Sequence, residues 1–156
     1  MKTAIYAGTF DPITNGHLDV VKRSCRIFDK VVVAVAEEPK KSLFSIEERK
    51  AMIKESTKGL NVEVESFNTL LAEYVKKRKI NVVIRGLRAV SDFEFELEMA
   101  LMNRKLNPDF DTVFVMTDEK YVFLSSSAVK EVAQLKGDVG QFVPPIVESK
   151  LKEKFK

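Results

Sequence analysis

The run Val31-Val32-Val33-Ala34-Val35-Ala36 contains no polar residue. A strand with one wet face alternates apolar and polar side chains, whereas one that is apolar throughout must be covered on both faces. That is the condition of a strand inside a parallel sheet flanked by helices. Its neighbours in sequence agree. Lys2 to Tyr6, Val62 with Val64, Val82-Val83-Ile84 and Val113-Phe114-Val115-Met116 read as four further strands. Between them, apolar residues recur at helical spacing: Leu18, Val21, Cys25 and Phe28, then Ile46, Met52 and Ile53, then Leu70, Leu71, Tyr74 and Val75. Ser45-Ile46-Glu47-Glu48 is a capping-box start. Asp92 is expected to cap a long helix reaching about Lys105, with Phe93, Leu97, Ala100 and Leu101 facing inward. Ala128 to Leu135 is a short helix stopped by Gly137, and a last helix begins near Pro144-Pro145. Strands alternating with helices imply βαβ units. The expected architecture is α/β: one domain over residues 1–156, a Rossmann-like open parallel sheet of five strands with helices on both faces.

In such sheets ligands bind outside the carboxyl ends of the strands, and the unusual residues of this chain cluster there. Gly8-Thr9-Phe10-Asp11-Pro12-Ile13-Thr14-Asn15-Gly16-His17 joins the first strand to the first helix and ends in the only histidine. At the start of a helix, free N–H groups and the positive end of the dipole attract phosphate. Asp11, Asn15 and Pro12 read as turn formers. Lys40 and Lys41 follow the second strand, either solvated or on the same rim. Arg85 ends the fourth strand, where a buried cation needs an anion; that anion is a carboxylate such as Asp92 or Glu96, or a ligand phosphate. Gly86 permits a sharp turn, and Arg88 reaches the same cleft. Ser125, Ser126 and Ser127 precede the fifth helix, as an N-cap or as phosphate donors with Lys130 one turn in. Spacing does not choose among Glu94, Glu96 and Glu98.

Absences narrow the chemistry. There is no GxxxxGK[ST] loop and no GxGxxG turn. No acidic cluster marks a two-metal site, and a single histidine leaves no Ser-His-Asp set. The lone Cys25 excludes an intramolecular disulfide and reads as a small core residue. With 26 basic residues interleaved among 23 acidic ones, the net charge of +3 does not argue for nucleic-acid binding. No signal-peptide pattern and no apolar run near 18 residues is evident, so a cytoplasmic protein with no membrane partner is expected. One imidazole with Thr, Lys, Arg and Ser groups suits transfer to a phosphate acceptor, already an anion at neutral pH, and suits hydrolysis poorly.

These residues carry a resemblance. Thr14-Asn15-Gly16-His17 resembles the T/HxGH signature of the nucleotidyltransferase superfamily, and Leu124-Ser125-Ser126-Ser127-Ala128-Val129-Lys130 echoes its ISTSxxR signature. More narrowly, Tyr6 to His17, Arg85 to Glu96 and Ser125 to Ala133 are similar to the bacterial phosphopantetheine adenylyltransferases, with the likeness running from Thr3 to the C-terminal helix. The resemblance implies transfer of AMP from ATP to 4′-phosphopantetheine with Mg²⁺, homohexamers, and feedback by coenzyme A at the same site. It implies that His17 stabilises the transferring phosphate, that Thr9 lies between the substrates, and that Arg88 and a lysine assist. Phe10, Gly86, Leu87, Arg88, Glu96, Tyr121, Val122, Phe123, Leu124, Ser125, Ser126 and Ser127 would line the ATP site. Lys40 or Lys41, Leu71 and Arg85 would meet phosphopantetheine. Ala7 and Phe95 depart from the usual Pro and Tyr, and the loop after the second strand is one residue shorter, which leaves Lys40 and Lys41 both open. The other readings are a superfamily enzyme with a different acceptor, a regulator that binds ATP or coenzyme A without turnover, and an RNA-binding domain. The Arg85-to-Arg88 stretch argues against the first, intact His17 and Arg88 against the second, and the lack of aromatic stacking motifs against the third.

Overall fold

A computed structural model describes residues 1–37 and 42–156. Five parallel strands form one sheet, β1 (Thr3–Gly8), β2 (Lys30–Ala36), β3 (Val62–Phe67), β4 (Val82–Leu87) and β5 (Asp111–Met116), in the order β3-β2-β1-β4-β5. The helices of the described residues are α1 (Asn15–Ser24), α2 (Ile46–Ser56), α3 (Leu71–Arg78), α4 (Val90–Leu106), α5 (Ser126–Gln134) and α6 (Pro145–Lys154), with a 3₁₀ turn at Glu119–Tyr121. The expected fold class is the observed one.

Alternation along the strands sends side chains into two cores. Ala4 and Tyr6 of β1 and Val31, Val33 and Val35 of β2 pack with Val20, Val21, Met52, Ile53, Val129 and Leu151, beneath α1, α2, α5 and α6. Ile5, Ala7, Val32 and Ala34 point the other way and pack with Ala72, Tyr74, Val75, Val83 and Phe110, beneath α3. Both faces of β2 are therefore buried, which is why its sequence carries no polar position.

Three local expectations are corrected. On α1 it is Val20, Val21 and Ser24 that are buried, while Cys25 is half-buried at the helix end; burial pushes its thiol pKa up, as for an inert core cysteine. Asp92 lies inside α4, whose N-cap is Ala89. The inward face expected for α4 is not formed, because none of its 17 residues is buried. Phe93, Leu97, Met99 and Leu101 are each 37–54% exposed.

β1 is the point where the chain reverses direction: it winds outward through β2 and β3, then returns to place β4 on the other side of β1. Adjacent loops diverge at such a point and leave a crevice beyond the strand ends. Here those ends are Gly8-Thr9 and Leu87-Arg88, so Arg85 and Gly86, expected to end the fourth strand, lie within its paired stretch.

Candidate active site

The crevice is a cavity of about 430 Å³ lined by Thr9, Phe10, Gly16, His17, Arg85, Gly86, Arg88 and Leu124 to Ser127, together with Tyr6, Asp11, Asp92, Thr117 and Lys130. The loop entering α1 approaches it closely. Phe10 sits at φ 47°, the left-handed region that costs an aromatic residue energy, and is held there by burial. Its ring meets the edges of Tyr6 and His17, with centroids 5.1 and 5.2 Å away. A Cβ on Gly8 would press on that ring at 3.2 Å.

His17 occupies the third position of α1, where a capping box normally has Glu or Gln. The Thr14 backbone N–H donates to His17 Nδ1 at 3.1 Å, with the Thr14 hydroxyl also 3.1 Å from that nitrogen. An Nδ1 that accepts from a backbone amide carries no proton in the neutral ring, so the proton resides on Nε2. Burial, and then the cations Arg88 and Arg85, push the pKa of His17 down to about 4. At neutral pH the ring is an uncharged donor of fixed orientation.

Arg85 and Arg88 behave differently. Arg85 makes a two-pronged contact with Glu96 at 2.7 and 2.6 Å and donates to the Ala7 carbonyl at 2.7 Å. Burial works most strongly against its charge, but the hydrogen bonds and charge attraction of Glu96, with a contribution from Tyr6, together outweigh it and raise the pKa. Of the partners open from sequence, Glu96 is the one formed. Arg88 donates to the Leu124 carbonyl at 2.6 Å and lies 3.5 Å from Asp92, leaving part of its guanidinium facing the cavity. Beside Leu124, Ser125 caps α5, accepting from the Ala128 N–H at 3.1 Å, and Ser126 donates to the Pro12 carbonyl at 2.7 Å.

A second cavity, of about 250 Å³ and mostly apolar, lies between α3, α4 and β4. Leu71, Glu96, Met99 and Phe110 line it, and Arg85 lines both cavities. Leu87, Tyr121, Val122 and Phe123 lie outside both linings. Lys40 and Lys41 fall outside the described residues.

Sequence reasoning missed Asp11 as a site residue. It is 4% exposed, and its carboxylate accepts from the backbone N–H groups of Leu43 and Phe44 and from Lys130. Those partners lie 32, 33 and 119 residues away, so no local pattern announces them. Arg49 was missed for the same reason. Fully buried, it donates to the carbonyls of Thr9 and Ala36 at 2.7 and 3.0 Å and ties the ends of β1 and β2 together.

A crevice at the sheet's reversal point, faced by a Gly-His loop and a serine-rich helix start, is suited to holding the phosphates of a nucleotide. The model of the cytidylyltransferase-like family matches residues 5–132. Two solved structures share the fold at low identity. The Plasmodium falciparum nicotinic acid mononucleotide adenylyltransferase, complexed with NaAD, superposes with TM-score 0.71 at 14% identity over 97% of this chain and 94% of its own. A putative nicotinate-nucleotide adenylyltransferase from Vibrio parahaemolyticus does so with TM-score 0.71 at 19% identity over 99% and 95%. Among curated proteins, the phosphopantetheine adenylyltransferase of Caldanaerobacter subterraneus subsp. tengcongensis is 55% identical over 100% of this chain and 99% of its own length. That of Syntrophomonas wolfei is 53% identical over 99% and 98%. The chain belongs to the phosphopantetheine adenylyltransferase family, within the cytidylyltransferase-like proteins.

Proposed function

We propose that this chain, as a single nucleotidyltransferase domain, transfers the adenylyl group of ATP to 4′-phosphopantetheine, releasing dephospho-coenzyme A and pyrophosphate. The observation that carries the chemistry is His17, uncharged, with its Nδ1 engaged and its Nε2–H directed by that bond. An acceptor phosphate oxygen attacks the α-phosphorus of ATP, and the bond from that phosphorus to the bridging oxygen breaks. Pyrophosphate departs with the electron pair. A phosphate with a second pKa near 6 is already ionised at pH 7, so no protein base is needed. What the protein supplies is position and charge. His17 Nε2–H donates to the developing negative charge on the α-phosphate, Thr9 lies between donor and acceptor, and Arg88 with the α5 start neutralises the polyphosphate.

Mg²⁺ carried in by ATP would supply charge neutralisation to its phosphates. The cavity's carboxylates suit that role for the metal, since Asp11 is engaged by Lys130 and Asp92 by Arg88. Among the described residues no group of three His, Cys, Asp or Glu gathers to hold an ion. The apolar cavity at Leu71 suits the pantetheine arm, and Arg85 sits where its phosphate end would meet the first cavity. Phe10, Gly86 and Leu124 to Ser127 line the ATP side of the proposal; Leu87 and Tyr121 to Phe123 border it from outside the lining, and Glu96 acts through Arg85. Lys40 or Lys41 completes the acceptor side. Coenzyme A, which contains both halves of the product, is the natural feedback ligand of the joined cavities.

The apolar residues exposed on α4 support a homo-oligomer, a hexamer in this reading, because a cluster of exposed large apolar side chains normally marks a contact surface. No helix of the described residues is long and apolar enough to cross a membrane. The cytoplasm is the proposed location, and neither nucleic acid nor membrane has a part in the reading.

The test is Mg²⁺-dependent pyrophosphate release from ATP with 4′-phosphopantetheine, nicotinamide mononucleotide or glycerol 3-phosphate as acceptor, and with CTP as the alternative donor. Turnover only with ATP and phosphopantetheine is expected. Turnover with another pair, or ATP binding without turnover, overturns the proposed reaction.

A further inference from the structure

Asp11 is the most connected carboxylate of the first cavity. Oδ1 accepts from the Phe44 N–H at 2.9 Å, and Oδ2 accepts from the Leu43 N–H at 2.8 Å and from Lys130 Nζ at 2.9 Å. With only 4% of its surface exposed, it has almost no water to fall back on. It joins three parts of the chain: the β1–α1 loop that carries it, the segment leading into α2, and α5. Lys130, by contrast, keeps 28% of its side chain exposed and lines the cavity one turn beyond Ser125–Ser127.

We propose that Asp11 is a positioning residue for the polyphosphate half of the site, holding the Lys130 ammonium against the α5 start where the departing phosphates lie. A lysine is a flexible chain ending in a point charge, and left alone it samples many rotamers. The Asp11 carboxylate cannot itself move, because two backbone amides grip it. It therefore fixes Lys130 without the entropy cost falling on substrate binding. Asp11 also anchors the Leu43 and Phe44 amides just after Lys40 and Lys41, so the part of its effect that runs through Lys130 is isolated by comparison with the double variant. This rests on the reading that ATP occupies the first cavity.

The experiment compares Asp11→Asn, Lys130→Met and the double variant, measuring ATP binding by calorimetry and KM for ATP and for phosphopantetheine. A charge-assisted hydrogen bond lost at one remove predicts an ATP affinity and KM weakened about tenfold in Asp11→Asn. In Lys130→Met the KM for phosphopantetheine should stay within about twofold, because the lost charge lies at the α5 start, on the polyphosphate side. The double variant should bind ATP within about twofold of Lys130→Met, because both changes act through one pair. Losses that multiply, equal weakening of both substrates in Lys130→Met, or unchanged ATP affinity in Asp11→Asn would each overturn the proposal. If Asp11→Asn does not fold, Asp11→Glu carries the test. It keeps the charge but displaces the ammonium by about one bond length, and it should weaken ATP several-fold, whereas wild-type ATP affinity there overturns the proposal. Calorimetry needs no acceptor, so wild-type protein that binds ATP without using phosphopantetheine refutes the reaction while leaving the Asp11 test intact.

Discussion

The backbone N–H of Thr14 lies 3.1 Å from His17 Nδ1 and donates to it, closing a capping box in which an imidazole stands where a carboxylate is usual. One bond thereby finishes the helix start and selects the ring's tautomer. Because the donor is backbone, substitution of the Thr14 side chain leaves that selection in place, and only replacement of His17 removes it.

Replacing His17 with Ala should lower kcat by about 10²–10³-fold, the usual cost of one donor aimed at transition-state charge. ATP affinity should stay within a few-fold, since the contact strengthens as charge develops. Single-turnover rates beside equilibrium ATP binding check this. Loss of binding in step with rate would assign His17 to ground-state recognition instead.

The depressed pKa of His17 has a signed consequence for stability. Unfolded, the ring takes up a proton near pH 6.5; folded, only near pH 4. Between those values the unfolded state holds more protons, so stability falls as pH is lowered, by about 1.4 kcal/mol per pH unit at most. Melting curves of the wild type and His17→Gln at pH 7.5, 5.5 and 4.5 isolate the effect, because other groups titrate alike in both. The wild type should lose more of its Tm on acidification. A constant difference between the two would contradict a buried neutral imidazole.

Glu96→Ala should destabilise the fold by about 1–3 kcal/mol, since it strips the two-pronged partner from Arg85 at a partly buried site. Glu96→Gln, which keeps an acceptor, should cost less. Denaturant titration of both variants measures the gap, and equal stabilities would mean that water replaces Glu96 at no cost.

Leu101→Glu, on the exposed apolar side of α4, should leave the fold of a single chain nearly untouched because Leu101 is 54% exposed there. If copies of the chain cover α4, the same change should shift the particle mass downward in light scattering behind size-exclusion chromatography. An unchanged mass would remove Leu101 from any such contact.

The α/β class was legible from Val31–Ala36 and the helical spacings around it, because burial on both faces and on one face leave different periodicities in a sequence. The Gly-His loop and the serine start of α5 were legible because each is contiguous, and the requirements of a cap or a close backbone approach fall on neighbouring residues. Arg85's need for an anion was legible too; its choice of Glu96 over Asp92 was not, since both lie within reach along the same helix. For α4 the inward face expected from its apolar residues is not formed, because periodicity does not say whether a face is covered by its own chain.

The order of strands, the reversal at β1 and the meeting of β1 with β4 are long-range facts. So is the junction at Asp11, whose sequence neighbourhood marks only a turn, and so is the strut from Arg49 to Thr9. Local patterns record what each segment demands: which face is dry, where a helix can start, where a backbone must bend. Which segments satisfy one another's charges and amides depends on packing across 30 to 120 residues of chain. There the energy belongs to pairs, and no single stretch of sequence carries it.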